Sequence, residues 1–157
     1  MAVGKEEFRR ALGHFASGVT VVTSKGQGER PQGITVSAFT SVSLDPPLIL
    51  VCIDKRASIH DHLVEGSYFA VSLLAEDQEL ISRRFASKEE DRFDGVGFTE
   101  GVTGSPLLTG SLAGIECRVV HAFPGGDHTI FVGEVEATAV TEGKPLLYFR
   151  GGYNQLA

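Results

Sequence analysis

The sequence is short of several things, and each shortage removes a class of function. It holds only two cysteines, Cys52 and Cys117, in 157 residues. They form no Cys-x-x-Cys pair, so neither a disulfide framework nor a zinc site of four Cys and His ligands is encoded. The reading is two buried free thiols in a reducing cytoplasm. Long hydrophobic runs are missing: the longest, Pro46 to Ile53, falls far short of the roughly 20 apolar residues of a membrane-spanning helix. The opening MAVGKEEFRRALGHF has no unbroken apolar stretch of the kind a secretory leader needs. Positive charge is also scarce, since 14 Lys and Arg face 20 Asp and Glu for a net charge of −6. That argues against nucleic acid as a partner and leaves room only for a local phosphate site. No GxGxxG, no GxxxxGK[ST] and no GxSxG is present, so dinucleotide-fold, P-loop and hydrolase chemistry have no motif behind them. Asp45, Asp54 and Asp61 form no recognisable acid pair.

What is present is ordinary globular material, 42% hydrophobic and 22% charged, enough for a core without metals or disulfides. The length fits one domain spanning 1–157. Residues 5–16 read as an amphipathic helix with Phe8, Leu12 and Phe15 on one face, stopped at Gly18. The β-branched run 19–24 reads as a strand, with a turn at Gly26 and Gly28. Further extended segments cover 32–38 and 40–44. Asp45-Pro46-Pro47 makes a corner. Residues 48–53 are apolar on both sides and predict a strand buried on both faces. A helical turn over 58–65, N-capped by Ser58, points Ile59 and Leu63 inward. A strand follows at 68–74 and a helix at 77–85, then a charged and Gly-rich surface excursion over 87–110. Two long strands flank Pro124-Gly125-Gly126-Asp127, and 146–149 with Gly151-Gly152-Tyr153 closes the chain. About seven or eight strands and two or three small helices, separated by Gly and Pro turns, point to a mainly β, Greek-key-like closed barrel.

Few polar residues stand out for chemistry. Thr35, Ser37, Ser41 and Ser43 recur through 33–43 and make either one wet strand face or a groove offering hydroxyl and backbone groups to a planar ring. Ser58 follows Lys55-Arg56 at the start of a turn, a natural anion site or a plain cap. Arg83, Arg84 and Lys88 form a second basic group, which a solvated helix end also explains. His60 and His62 sit on different faces and suit no shared metal. His14 reads as a surface residue and His121 as a core residue. His128, at a hairpin corner, is the histidine placed for function.

In order along the chain, Phe15-Ala-Ser-Gly-Val-Thr-Val-Val-Thr23, Gly33-Ile-Thr-Val-Ser-Ala-Phe-Thr-Ser-Val-Ser-Leu-Asp-Pro-Pro47, Phe85-Ala86, Leu112-Ala-Gly-Ile-Glu-Cys117, Gly126-Asp-His-Thr-Ile130 and Pro145-Leu-Leu-Tyr148 with Gly152-Tyr153 resemble the short-chain flavin reductases. These are the reductase components of two-component flavin-dependent monooxygenases, such as that of 4-hydroxyphenylacetate 3-hydroxylase. The family often has Met where Ile34 stands and a small polar residue such as Asn near Ser37. The resemblance implies an FMN-binding split barrel, a homodimer and an NAD(P)H:flavin oxidoreductase. Its cofactors would be FAD or FMN with NADH or NADPH, and it would pass reduced flavin by diffusion to a partner oxygenase. It also implies a flavin site of Gly33, Thr35, Val36, Ser37, Ala38, Ser41, Cys52, Ile53 and Asp54. Ser58, Arg84, Phe85 and Lys88 would lie at the phosphate or ribityl end. His128 and Tyr153 would sit by the nicotinamide, with no acid–base residue and no metal required. With no Arg cluster evident for a 2′-phosphate, NADH is the favoured donor. The alternative is a barrel of the same size that holds flavin or haem without turnover.

Overall fold

A computed structural model describes residues 1–25 and 30–157. The turn expected at Gly26 and Gly28 lies outside the described residues. Helix α1 covers Lys5–Leu12, with Glu6 and Glu7 in its first turn and Arg9 and Arg10 in its last, charges that oppose the helix dipole. It stops at Gly13, whose N–H donates to the Arg9 carbonyl at 2.8 Å, not at Gly18. Its apolar face is the one expected, yet that face is open: Phe8 and Leu12 are 57% and 54% exposed, and Phe15 is 78% exposed.

The strands are β1 (Ser17–Gly18), β2 (Thr20–Ser24), β3 (Gln32–Val36), β4 (Phe39–Ser43), β5 (Leu48–Asp54), β6 (Tyr68–Leu73), β7 (Phe98–Glu100), β8 (Pro106–Leu108), β9 (Ala113–Gly125), β10 (His128–Val140), β11 (Leu146–Phe149) and β12 (Gly152–Gln155), with helix α2 at Glu79–Phe85. Seven of them form one sheet in the order β3-β2-β6-β9-β10-β5-β4, while β1-β11-β12 and β7-β8 make two smaller sheets. Among the described residues no ladder joins β3 to β4, so the sheet is not a closed barrel. The two edge strands still meet at one corner. Only Ser37 and Ala38 separate Val36 from Phe39, and three Cα steps span at most about 11 Å. The Cys52 N–H donates to the Ala38 carbonyl at 3.1 Å and ties that corner to β5.

Two apolar clusters pack on the sheet. One holds Val22, Val51, Ile53, Phe69, Val119 and Phe131; the other holds Val21, Leu74, Phe85, Phe93 and Leu108. Strand β2 is buried at every position, because its alternate side chains enter one cluster each. Each fully buried Phe, Ile or Val contributes about 1.5–3 kcal/mol. Strand β5 behaves differently. Ile49, Val51 and Ile53 are buried, whereas Leu50 and Cys52 on the other face stay half-exposed, so the expectation of burial on both faces is not met. An apolar strand face left half-open marks a site to be filled.

Other expectations shift for local reasons. Only His60–His62 is helical in the 58–65 segment, and its cap position is Ile59, without a side-chain cap; Ile59 and Leu63 are nonetheless buried. The excursion over 87–110 is not all surface. It contains the β7–β8 hairpin and buries Phe93 edge-on to Phe85, ring centroids 5.0 Å apart. His121 is exposed and stacked on exposed Phe123 at 5.6 Å. The register of β9 with β10 slips between Val132 and Gly133, and a bulge of this kind breaks the alternation that placed His121 inside. No described helix is long and apolar enough to cross a membrane.

Candidate functional site

Strand β5 and the turn after it carry two cavities. The first, about 680 Å³, is lined by Ser37, Ala38, Thr40, Leu50 and Cys52, by Phe8, Leu12 and Phe15, and by Tyr148. It is mostly apolar, with hydroxyl and backbone groups at the corner between β3 and β4. The second, about 400 Å³, is lined by Gln32, Gly33 and Ser58, by the cations Arg56, Lys88 and Arg92, and by the anions Glu89 and Glu90. It is polar and cation-rich. The segment from Cys52 to Ser58 runs from one to the other.

Charged pairs hold the middle of that segment. Asp54 accepts the Arg56 backbone N–H at 2.8 Å, Arg56 Nε at 3.2 Å and Arg56 Nη2 at 2.9 Å. These bonds keep the Asp54 carboxyl well below the usual carboxylate range. Across the ladder His128 pairs with Asp54, and its Nδ1 lies 2.7 Å from Asp127 Oδ1, which lowers the Asp127 pKa. The Lys55 N–H donates to the Asp127 carbonyl at 3.0 Å, joining the hairpin tip to the turn after β5. Burial pushes the Cys52 thiol up and keeps it protonated.

The residues expected at the site divide accordingly. Ser37, Ala38 and Cys52 gather at the first cavity, and Gly33, Ser58 and Lys88 at the second. Asp54 and His128 stand between. The side chains of Val36, Ile53 and Phe85 instead belong to the core, which leaves only their backbone for any ligand. Thr35 Oγ1 donates to the Ser82 carbonyl at 2.6 Å, on the α2 side of β3. Ser41 is exposed and lines neither cavity. The Arg84 guanidinium is taken up by the Arg92 and Asp91 carbonyls at 2.7 and 3.0 Å. Tyr153 lines neither cavity: its hydroxyl lies 2.6 Å from Ser82 Oγ, and the Arg83 guanidinium sits 4.9 Å from its ring centre. Ser58 bonds Gln32 Oε1 at 2.8 Å and caps no helix. Sequence reasoning missed Thr40, Gln32 and Tyr148 as lining residues. It set Arg56 beside Ser58 as part of an anion site, and it saw Arg92 only as a neighbour of the Arg83, Arg84 and Lys88 group; both line the second cavity.

An apolar slot with a polar rim, next to a cationic pocket, fits a flat ring system bearing an anionic tail. A flavin nucleotide has that shape and charge. Ser37, Ala38, Leu50 and Cys52 would hold its ring, and Ser58 and Lys88 its phosphate.

Comparison with known proteins agrees in kind. The reductase component of 4-hydroxyphenylacetate 3-monooxygenase from Thermus thermophilus is 43% identical over 153 residues, covering 97% of both chains. HsaB, the reductase subunit of a flavin-dependent monooxygenase from Rhodococcus jostii, is 39% identical over 97% of this chain and 78% of its own. The structure of the NADH:FAD oxidoreductase SgcE6 of Streptomyces globisporus, in complex with NAD and FAD fragments, superposes with a TM-score of 0.92 at 40% identity, covering 100% of this chain and 97% of that one. The family model described as "Flavin reductase like domain" matches residues 12–157, and the chain belongs to that family.

Proposed function

We propose that this protein is an NADH-dependent flavin reductase that reduces FAD or FMN and supplies the reduced flavin to a separate monooxygenase. The observation that carries this reading is the pairing of an apolar ring slot with a cationic pocket along Cys52–Ser58. Bound flavin supplies the hydride acceptor, so no side-chain base is required. The work left to the protein is to hold two rings together and keep water out. Thr35 to Ala38 contribute backbone groups, and Leu50 and Cys52 form the apolar wall. Ser58 and Lys88 bind the phosphate or ribityl end, and Arg84 braces the loop that carries Lys88. His128, held through Nδ1 by Asp127, offers its other ring nitrogen to the nicotinamide nucleotide.

The strand order and the Ser37-Ala38 corner support a split barrel over a single domain, 1–157. The open faces of Phe8, Leu12 and Phe15 beside the ring slot support a homodimer that covers them. Two free thiols fit a reducing cytoplasm.

One experiment tests the reading: NADH oxidation followed by absorbance with FAD, FMN or no flavin added, for the protein and for His128→Ala. Turnover should depend on added flavin, and the variant should show a several-fold higher KM for NADH with flavin affinity unchanged. Folded protein that oxidises no NADH under any of these conditions would overturn the reductase reading in favour of a flavin holder without turnover.

A further inference from the structure

A third concavity, about 370 Å³, is lined by Arg9, Arg10, His14 and Arg150 together with Gly13 and Gly151. It adjoins the ring slot, which shares Arg9, Gly13 and Gly151 with it. Two distant stretches of chain build it. Arg9 and Arg10 sit in the last turn of α1, and Arg150 sits in the turn between β11 and β12. The Arg150 N–H donates to the Gly13 carbonyl at 2.8 Å and fixes one against the other. Among the described residues, Arg9, Arg10 and Arg150 take part in no ion pair, whereas Arg30, Arg56, Arg83, Arg84 and Arg118 each do. Three unneutralised guanidiniums around one concavity stand out in a chain of net charge −6.

Helix-dipole complementarity accounts for Arg9 and Arg10. It does not account for Arg150. The two-residue turn has φ of 52° at Arg150 and 76° at Gly151. Turns with positive φ at both positions favour Asn or Gly at the first, and Arg150 is the one non-glycine residue with positive φ among those described. Backbone strain held at such a position is characteristic of a binding site. The turn sets Arg150 in the lining of the same concavity as Arg9 and Arg10, and guanidinium groups suit phosphate oxygens.

We propose that this basic concavity binds a phosphate or pyrophosphate group of a nucleotide that reacts at the adjoining slot. The identity of that nucleotide rests on the flavin reductase reading; the anion site itself does not. Because Ser58 and Lys88 serve the flavin phosphate, the pyrophosphate of the nicotinamide nucleotide is the group left to be held here.

Inorganic pyrophosphate titrated into the full-length protein at low salt is the direct test, read by NMR at the Gly13 and Gly151 amides. Both signals should shift saturably. Arg150→Asn keeps a residue suited to positive φ and should weaken the apparent affinity at least tenfold. Unmoved signals, or equal affinity in the variant, would overturn the proposal. Steady-state kinetics of the same variant identify the source. A rise of at least fivefold in KM for NADH with kcat retained assigns the site to the nicotinamide nucleotide, and the same rise for FAD or FMN assigns it to the flavin. No rise for any nucleotide overturns the proposal. An unmodified protein that oxidises no NADH would sink the reductase reading alone, and the titration would still decide the anion site.

Discussion

Gly33 lines the cationic pocket, and its lack of a side chain is a packing requirement. A Cβ built there would stand 2.7 and 2.9 Å from two ring carbons of Phe85 and 3.4 Å from Phe93. Phe85 is fully buried and has nowhere to retreat. Gly33→Ala is therefore expected to cost about 1–3 kcal/mol and to lower the thermal midpoint by roughly 3–10 °C, measured by calorimetry. An unchanged midpoint would mean that the Phe85 ring can move. A side chain's partner is within reach of sequence reading when it lies close in the chain, as Arg56 does to Asp54 and Asp127 to His128. A remote partner is illegible. Nothing around Gly33 announces Phe85, and nothing around Thr35 announces that its hydroxyl is spent on Ser82.

The loop from Ala86 to Phe93 is fastened by two arginines working in opposite directions. Arg84 in α2 donates to the Arg92 and Asp91 carbonyls. Arg92 reaches back to the carbonyls of Gly33 at 2.7 Å, Phe85 at 3.0 Å and Ser87 at 2.6 Å. Burial lowers the Arg92 pKa somewhat, but a guanidinium stays charged at any working pH. Removing it leaves three partly buried carbonyls without this donor. Arg92→Met should cost about 2–4 kcal/mol, make this loop the first site of limited proteolysis, and raise the flavin KM, because Lys88 rides on the loop. Protease resistance equal to that of the unaltered protein would show that Arg84 holds the loop alone. The positions of β5, β6 and β10 were readable from their apolar and β-branched runs, although of these β6 is the strand buried on both faces and β5 is buried on one. Sequence patterning misjudged 87–110, where Gly and charge suggested a surface loop while Phe93 and Leu108 fill the second core. It located α1, which ends at Leu12 and so falls short of the expected 16, and whose apolar face stays open among the described residues.

The whole molecule carries a pH limit of its own. Cys117 is fully buried, and desolvation, with Glu136 and Glu116 adding repulsion, pushes its thiol up to about 12. In the unfolded chain the same thiol titrates near 9.0. The folded state therefore keeps a proton that the unfolded state gives up. The stability tied to it is intact below pH 9.0 and is lost as pH rises through about 12. Melting curves across that window should fall more steeply for the natural protein than for Cys117→Ser; parallel curves would assign the alkaline loss to other groups. The mainly β character was readable from the turn residues, but the twelve described strands outnumber the seven or eight expected, and closure was not readable. Strands adjacent in sequence usually pair, whereas β3 and β4 stand at opposite edges of the sheet and are joined through Ser37-Ala38. A comparable long-range link joins the early chain to the late chain, since β1 pairs with β11 and Gly13 receives the Arg150 N–H. Synthesis therefore delivers α1 well before the β11–β12 turn that meets it, and Leu146 of β11 also fills the second core. The ring slot and the arginine concavity beside it are complete only once that later segment has joined the earlier one.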